Sequence, residues 1–199
     1  AKVNALAAKL QRAHRIREEV MAVASRAAVE SDLKEAAEAP KEWNIAKIGA
    51  DKVWADGNIG QGCGETPRVV HNAWYSFQGD KFFQAQINAW AQAGIVGVFQ
   101  AGDAGPQCGS VVSPGDSYNS LSVGSISSTN TLSAFSAKGP APDRVIKPDL
   151  LAPGSRVRSA TNTGDADYMS TSGTATAAAH VVGTIALMLA ANPALDFAR

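Results

Sequence analysis

Along residues 1–39 the apolar positions recur at helical spacing: Leu6, Leu10, Ile16 (or Ala13), Val20, Val23 and Ala27 fall on one side of a 3.6-residue repeat. This stretch is rich in Ala, Glu, Lys and Arg and holds no Gly, Pro or aromatic residue, so the spacing predicts an amphipathic helix. A break is expected near Ser31–Asp32, where Ser31 caps a second short helix, and Pro40 stops the pattern. From Glu42 the pattern changes. Trp43, Ile45, Ile48, Val53 and Trp54 make a short amphipathic stretch that ends at Asp56–Gly57, and the glycine-rich run at 60–64 is too flexible for regular structure.

Beyond that loop, short apolar runs alternate with a helical pattern. Residues 69–74, 95–100 and 121–126 read as buried strands, and 150–152 and 157–160 as short extended pieces around Pro153–Gly154. Residues 81–93 read as a helix with Phe83, Ile87, Trp90 and Ala91 on one side. Residues 174–191 form the most apolar helix, stopped by Asn192–Pro193. Strands separated by helices predict an α/β fold with a mostly parallel sheet and helices on both faces. The last helix is expected to be the most buried element, with Gly183 at a close crossing, because Val181, Val182, Ile185, Leu187, Met188 and Leu189 leave it almost no polar side.

Composition adds little to this picture and excludes a good deal. The chain has 199 residues, of which 45% are hydrophobic, and a chain of this size buries roughly 70% of its unfolded surface. Basic and acidic residues balance at 18 each, which gives no electrostatic case for nucleic acid or an anionic membrane. The longest uninterrupted apolar run, near 185–191, is too short to span a bilayer. No signal-peptide pattern precedes Ala1, so a signal is expected to have been removed or never present. Cys63 and Cys108 fit no metal spacing; a disulfide between them and two unpaired thiols both stay open. The glycine run is followed by no Lys-Ser/Thr and no strand clearly precedes it, so it does not read as a phosphate loop. No cofactor and no metal is expected.

Five stretches, in order, resemble the subtilisin-like serine proteases, the subtilase family. "EWNIAKIGADKVWADGNIGQG" is similar to the segment leading into the catalytic domain, and "VVHNAW" to the strand that ends in Ser-Trp-Gly. "FQAGDAGP" resembles the Ala-Gly-Asn-x-Gly turn whose asparagine donates to the oxyanion. "FSAKGPAPDRVIKPDLLAPG" resembles the Phe-Ser-x-x-Gly-Pro … Lys-Pro-Asp-x-x-Ala-Pro-Gly stretch, and "SGTATAAAHVVG" the turn Gly-Thr-Ser-Met-Ala-x-Pro-His-Val-x-Gly that carries the nucleophile. The resemblance is greatest to the bacillopeptidase F branch. It implies a truncated subtilisin-like domain over residues 41–199 behind a helical, propeptide-like segment over residues 1–40, and an extracellular location.

The departures from the family pattern carry the functional expectation. Ala175 stands at the nucleophile position, and Asp103 stands where an asparagine would donate N–H groups; an ionised carboxylate only accepts. Ala179 replaces the usual proline. Gly62 passes directly through residues 63–67 to the 69–74 strand, and neither the Asp-Thr/Ser-Gly nor the Gly-His-Gly-Thr-His stretch of the family occurs in the chain. The histidines are His14, in a charged helical run; His71, in place of a family asparagine; and His180, turned away from the nucleophile side of its helix and expected as a packed core residue. Ser172 and Thr176 flank Ala175 but have no base in evident reach.

The expectation is a catalytically inactive homologue that works by binding, as a decoy, inhibitor or regulator of active proteases or their inhibitors. Its expected binding residues are Trp74, Asp103, Gly173, Thr174 and Ala175, where the amides at the helix start remain available for a carboxylate or carbonyl. The alternative is a subunit or fragment of a serine endopeptidase, active only with a partner that supplies the triad. The shortened sheet leaves an unpaired edge near 69–74 or 95–100, to be covered by residues 42–68, by a second copy in a homodimer, or by a partner chain.

Overall fold

The computed structural model describes residues 42–58 and 67–195. The predicted N-terminal helix, with His14, and Cys63 lie outside the described residues. Helices α1 (Trp43–Ile48) and α2 (Ala50–Ala55) divide the first amphipathic stretch at Gly49, whose φ of 72° is a left-handed conformation that glycine adopts without steric cost. Four anchors tie this segment to later parts of the chain. The Trp43 indole N–H donates to Arg156 C=O at 3.3 Å, Lys47 to Asn130 Oδ1 at 2.7 Å and Asn58 to Leu187 C=O at 3.0 Å, while Glu42 faces Arg158 at 3.7 Å.

Strands β1 (Val69–Asn72), β2 (Val96–Gln100), β3 (Leu121–Ile126) and β4 (Leu150–Pro153) form a parallel sheet in the order β1-β2-β3-β4. Helix α3 (Gln84–Gln92) joins β1 to β2, and α4 (Thr174–Ala191) lies along all four strands. The two faces of β2 show how the layers form. Val96 and Val98 point to α4 and pack with Val123, Ala152, Ala177, Ala178 and Val181. Phe99 points the other way and stacks on Trp90 of α3, with ring centroids 6.4 Å apart, and a side chain at Gly97 would meet both rings. All five residues of β2 are buried, as expected of a parallel strand covered on both sides. Lys147, itself buried, ties the start of β4 to the sheet: its ammonium donates to Ser120 C=O and to Asp149, each at 2.7 Å, and Asp149 also accepts the Ser122 N–H.

Two further strands, β5 (Val157–Ala160) and β6 (Tyr168–Thr171), pair antiparallel. The pattern of the chain does not announce β6, because three of its four residues are exposed and no alternation of apolar and polar positions is needed.

Helix α4 departs from expectation. Its buried residues are Thr174, Ala177, Ala178 and Val181, a single i, i+3, i+4, i+7 stripe, so among the described residues the most buried element is β2 and not this helix. The reason is that the sheet covers one side of the helix only. The rest of its apolar surface borders clefts, one of about 350 Å³ lined among others by Ile45, Ile48, Trp54, Ala179 and Leu187. Gly183 also faces this cleft, and a Cβ there would meet nothing within 4 Å, so it marks no close crossing. The apolar run at 185–191 also understates the helix. Its 18 residues are long and apolar enough by composition to cross a membrane, though here they lie on the sheet.

Candidate functional site

Parallel strands place their C-terminal ends on one side of the sheet, and loops leaving that side gather what an α/β protein uses for chemistry. From β2 the chain runs through Ala101 and Gly102 to Asp103. From β6 it runs through Ser172 and Gly173 into α4. Gly154 brings this second segment close, accepting the Gly173 N–H at 2.8 Å. A Cβ at Gly154 would sit 2.5 Å from Ser125 Oγ and 2.7 Å from Gly173 O, so no other residue fits there without moving backbone.

The two segments meet at Thr174, which is fully buried. Its hydroxyl oxygen accepts the Gly102 N–H at 3.1 Å, and its own N–H donates to Asp103 Oδ1 at 2.8 Å. Gly173, at the N-cap position, has no side chain to satisfy the first amides of the helix. Asp103 takes that role from 71 residues away, placing a carboxylate at the positive end of the helix dipole. The sequence leaves these amides open for an outside carboxylate or carbonyl. In the structure Asp103 holds the Thr174 amide itself, since an acceptor-only side chain beside unsatisfied N–H groups binds them first. The missed signal is an uncapped glycine N-cap in a helix that starts with no acidic residue in its first turn.

Asp103, Gly173, Thr174 and Ala175 therefore come together. Ala175 is half-buried and presents a methyl group. His71 approaches the same point from β1: its Nε2 lies 3.2 Å from the Ala175 carbonyl oxygen and donates to it. His71 thus faces a main-chain acceptor at Ala175. Trp74 makes a different set of contacts. Its ring packs 4.5 Å from Phe83 and 5.7 Å from Phe99, and Phe83 in turn packs 4.8 Å from Phe82. This chain of rings runs from the enclosed Phe99 to the exposed Phe82, and Trp74 itself keeps 39% of its surface exposed.

His180 is half-buried on the far side of α4, where its Nδ1–H donates to Thr176 C=O at 2.9 Å. Its Nε2 therefore accepts from the Asn44 amide at 2.8 Å, which ties α1 to α4. Burial lowers its pKa below the ordinary imidazole value, the bond to Thr176 opposing, so the ring is neutral at pH 7. The Ser172 hydroxyl accepts the Arg156 N–H at 2.8 Å and is committed to the start of β5. Cys108 is an exposed free thiol. Among the described residues, no group of three His, Cys, Asp or Glu side chains is placed to hold a metal ion.

The profile of the subtilase family (peptidase S8) matches residues 23–198. This chain belongs to the subtilase family. It is 34% identical over 137 residues to bacillopeptidase F of Bacillus subtilis (strain 168), a match covering 65% of this chain and 9% of that protein. Serine protease AprX of the same organism is also 34% identical over 137 residues, covering 59% of this chain and 31% of its own length. This subtilase thus spans less than a third of either relative. Among solved structures, sphericase superposes with a TM-score of 0.58 at 27% identity, over 76% of this chain and 50% of its own. The S41 psychrophilic protease gives 0.56 at 26% identity, over 64% and 44%. The α/β fold of this subtilase is subtilisin-like.

Proposed function

We propose that this subtilase-family chain is a pseudoprotease that acts outside the cell by binding. Its partner is a protein or peptide, such as an active subtilase or a protease inhibitor, and it serves as a decoy, inhibitor or regulator. The observation that supports this reading is the Asp103 carboxylate bonded to the Thr174 amide beside the Ala175 methyl. Acyl transfer needs a nucleophile, a base in hydrogen-bond reach and donors aimed at the developing oxyanion. On this reading a methyl group takes the first position, His71 is turned to a carbonyl, and a carboxylate takes the place of a donor.

A fluorophosphonate serine-hydrolase probe tests the proposal. The full chain is expected to remain unlabelled and to leave casein intact. Labelling that disappears on Thr176→Ala or His71→Ala would overturn it. The alternative, a fragment or subunit completed by a partner, is in keeping with the small share of its relatives that the chain spans. It predicts labelling of the mixture with that partner and requires the nucleophile to come from there.

A further inference from the structure

The two edges of the parallel sheet are built differently. At the β4 edge the strand ends in Pro153, which has no N–H, and α1 packs against the strand. At the β1 edge the sequence Val-Val-His-Asn contains no proline, no bulge and no charged residue, the devices that keep strand edges from pairing. Among the described residues no strand lies on the outer side of β1.

Which groups this edge offers follows from the ladder. Val96 donates its N–H to Arg68 C=O, and Val69 is in register with Val96. In a parallel ladder this directs the main-chain groups of Arg68, Val70 and Asn72 to β2, and those of Val69 and His71 outward. The open edge is therefore two residues with two donors and two acceptors. The His71 side chain is exposed and that of Val69 half-buried.

We propose that the β1 edge is a self-association site that takes the same edge of a second copy of this chain, antiparallel about a twofold axis at Val70. That register sets Val69 opposite His71 of the second copy and His71 opposite its Val69. Each is a hydrogen-bonded pair exchanging two bonds, so every outward N–H and C=O of the strand is satisfied. Val70 meets Val70 of the second copy in the close, non-hydrogen-bonded pair, with Cβ atoms about 4.5–5.5 Å apart, a favourable β-branched contact. Arg68 falls opposite Asn72, so no like charges face one another. The Arg68 guanidinium is in any case turned to Pro193 C=O and Leu195 C=O, the latter at 2.7 Å. A formal net charge of zero removes long-range repulsion between copies. The interface is isologous and closes as a dimer.

The register is specific enough to test in the full chain. Sedimentation velocity is expected to show a dimer that grows with concentration. Val70→Lys and Val70→Glu, each checked for folding by circular dichroism, should be monomeric alone, and an equimolar mixture of the two should dimerise again. With Cys63→Ser and Cys108→Ser as background, Val70→Cys should form an intermolecular disulfide under mild oxidation, whereas Val69→Cys, opposite His71, should not. The Val70→Cys variant keeps the size and apolar character of the strand, so it reports even where the charged variants fail to fold. A wild-type chain that stays monomeric at every concentration overturns the proposal. So does a dimer that survives both charged variants, or one in which Val70→Cys gives no disulfide. None of these outcomes bears on whether the chain hydrolyses peptides.

Discussion

At position 103 one carboxylate does two things at once. It satisfies the Thr174 N–H that a glycine N-cap cannot, and it places acceptor-only negative charge beside Ala175. Asp103→Asn keeps an oxygen acceptor for that N–H, while Asp103→Ala removes it. The alanine variant is therefore expected to lose about 1–2 kcal/mol in a denaturant melt, and the asparagine variant less. Ala175→Ser is expected to restore no acyl-enzyme with an activated ester. The new hydroxyl would lack a base and would still stand next to Asp103, and a burst of released nitrophenol would contradict this. His180 supplies a pH dependence. It is neutral in the folded state with its pKa lowered by burial, and neither partner, the Asn44 amide or the Thr176 carbonyl, carries a charge. The unfolded chain then binds a proton first, so stability falls as the pH drops below about 6.5 and the loss is complete below the folded value. His180→Gln should flatten that part of the stability profile; an unchanged profile would show that the ring is not the cause.

Elements answer to how many of their sides are covered. The apolar residues of α4 announce a buried helix, yet only one stripe is enclosed, because a helix on one face of a four-stranded sheet has a single partner layer. Ile185, which packs half-buried at the margin of that stripe, should cost only about 1–2 kcal/mol on truncation to alanine, below the range for a fully enclosed site. Val98 lies between layers with no exposed surface, and Val98→Ala should cost about 2–3 kcal/mol although it removes fewer atoms. Equilibrium urea melts of the two variants decide the order, and amide exchange should be slowest in β2. The strands 121–126 and 157–160 and the helix 174–191 coincide with their predicted bounds; the helix is marked by its apolar run and by Asn192–Pro193, and 157–160 by Pro153–Gly154 before it. Strand β6 escaped because an exposed hairpin arm leaves no such mark.

Across the whole molecule the sheet is held by a few long-range polar ties as well as by its core. The Lys147–Asp149 pair joins the start of β4 to Ser120 and Ser122 at the start of β3. Asp149→Ala would take the carboxylate from a buried ammonium that keeps its bond to Ser120 C=O, at an expected cost of roughly 2–3 kcal/mol. This is less than for a fully buried pair, because a third of the Asp149 side chain is exposed. The same scale governs the sheet edges: one is closed by Pro153 and a helix, the other is left with its main-chain groups outward.

What the sequence by itself determined was ancestry, the α/β layering and the identity of the residue at each family position, since these rest on local motifs and on the period of apolar residues. The alanine at position 175, on which the proposed function leans, is legible there in full. Tertiary structure alone decided what those residues touch. That Asp103 turns onto the Thr174 amide, that His71 faces a carbonyl, that His180 bridges two helices and that α4 is covered on one side all depend on contacts between distant parts of the chain. Spacing along a sequence reports which side of an element a residue lies on, and only the packed fold says what is on the other side of it.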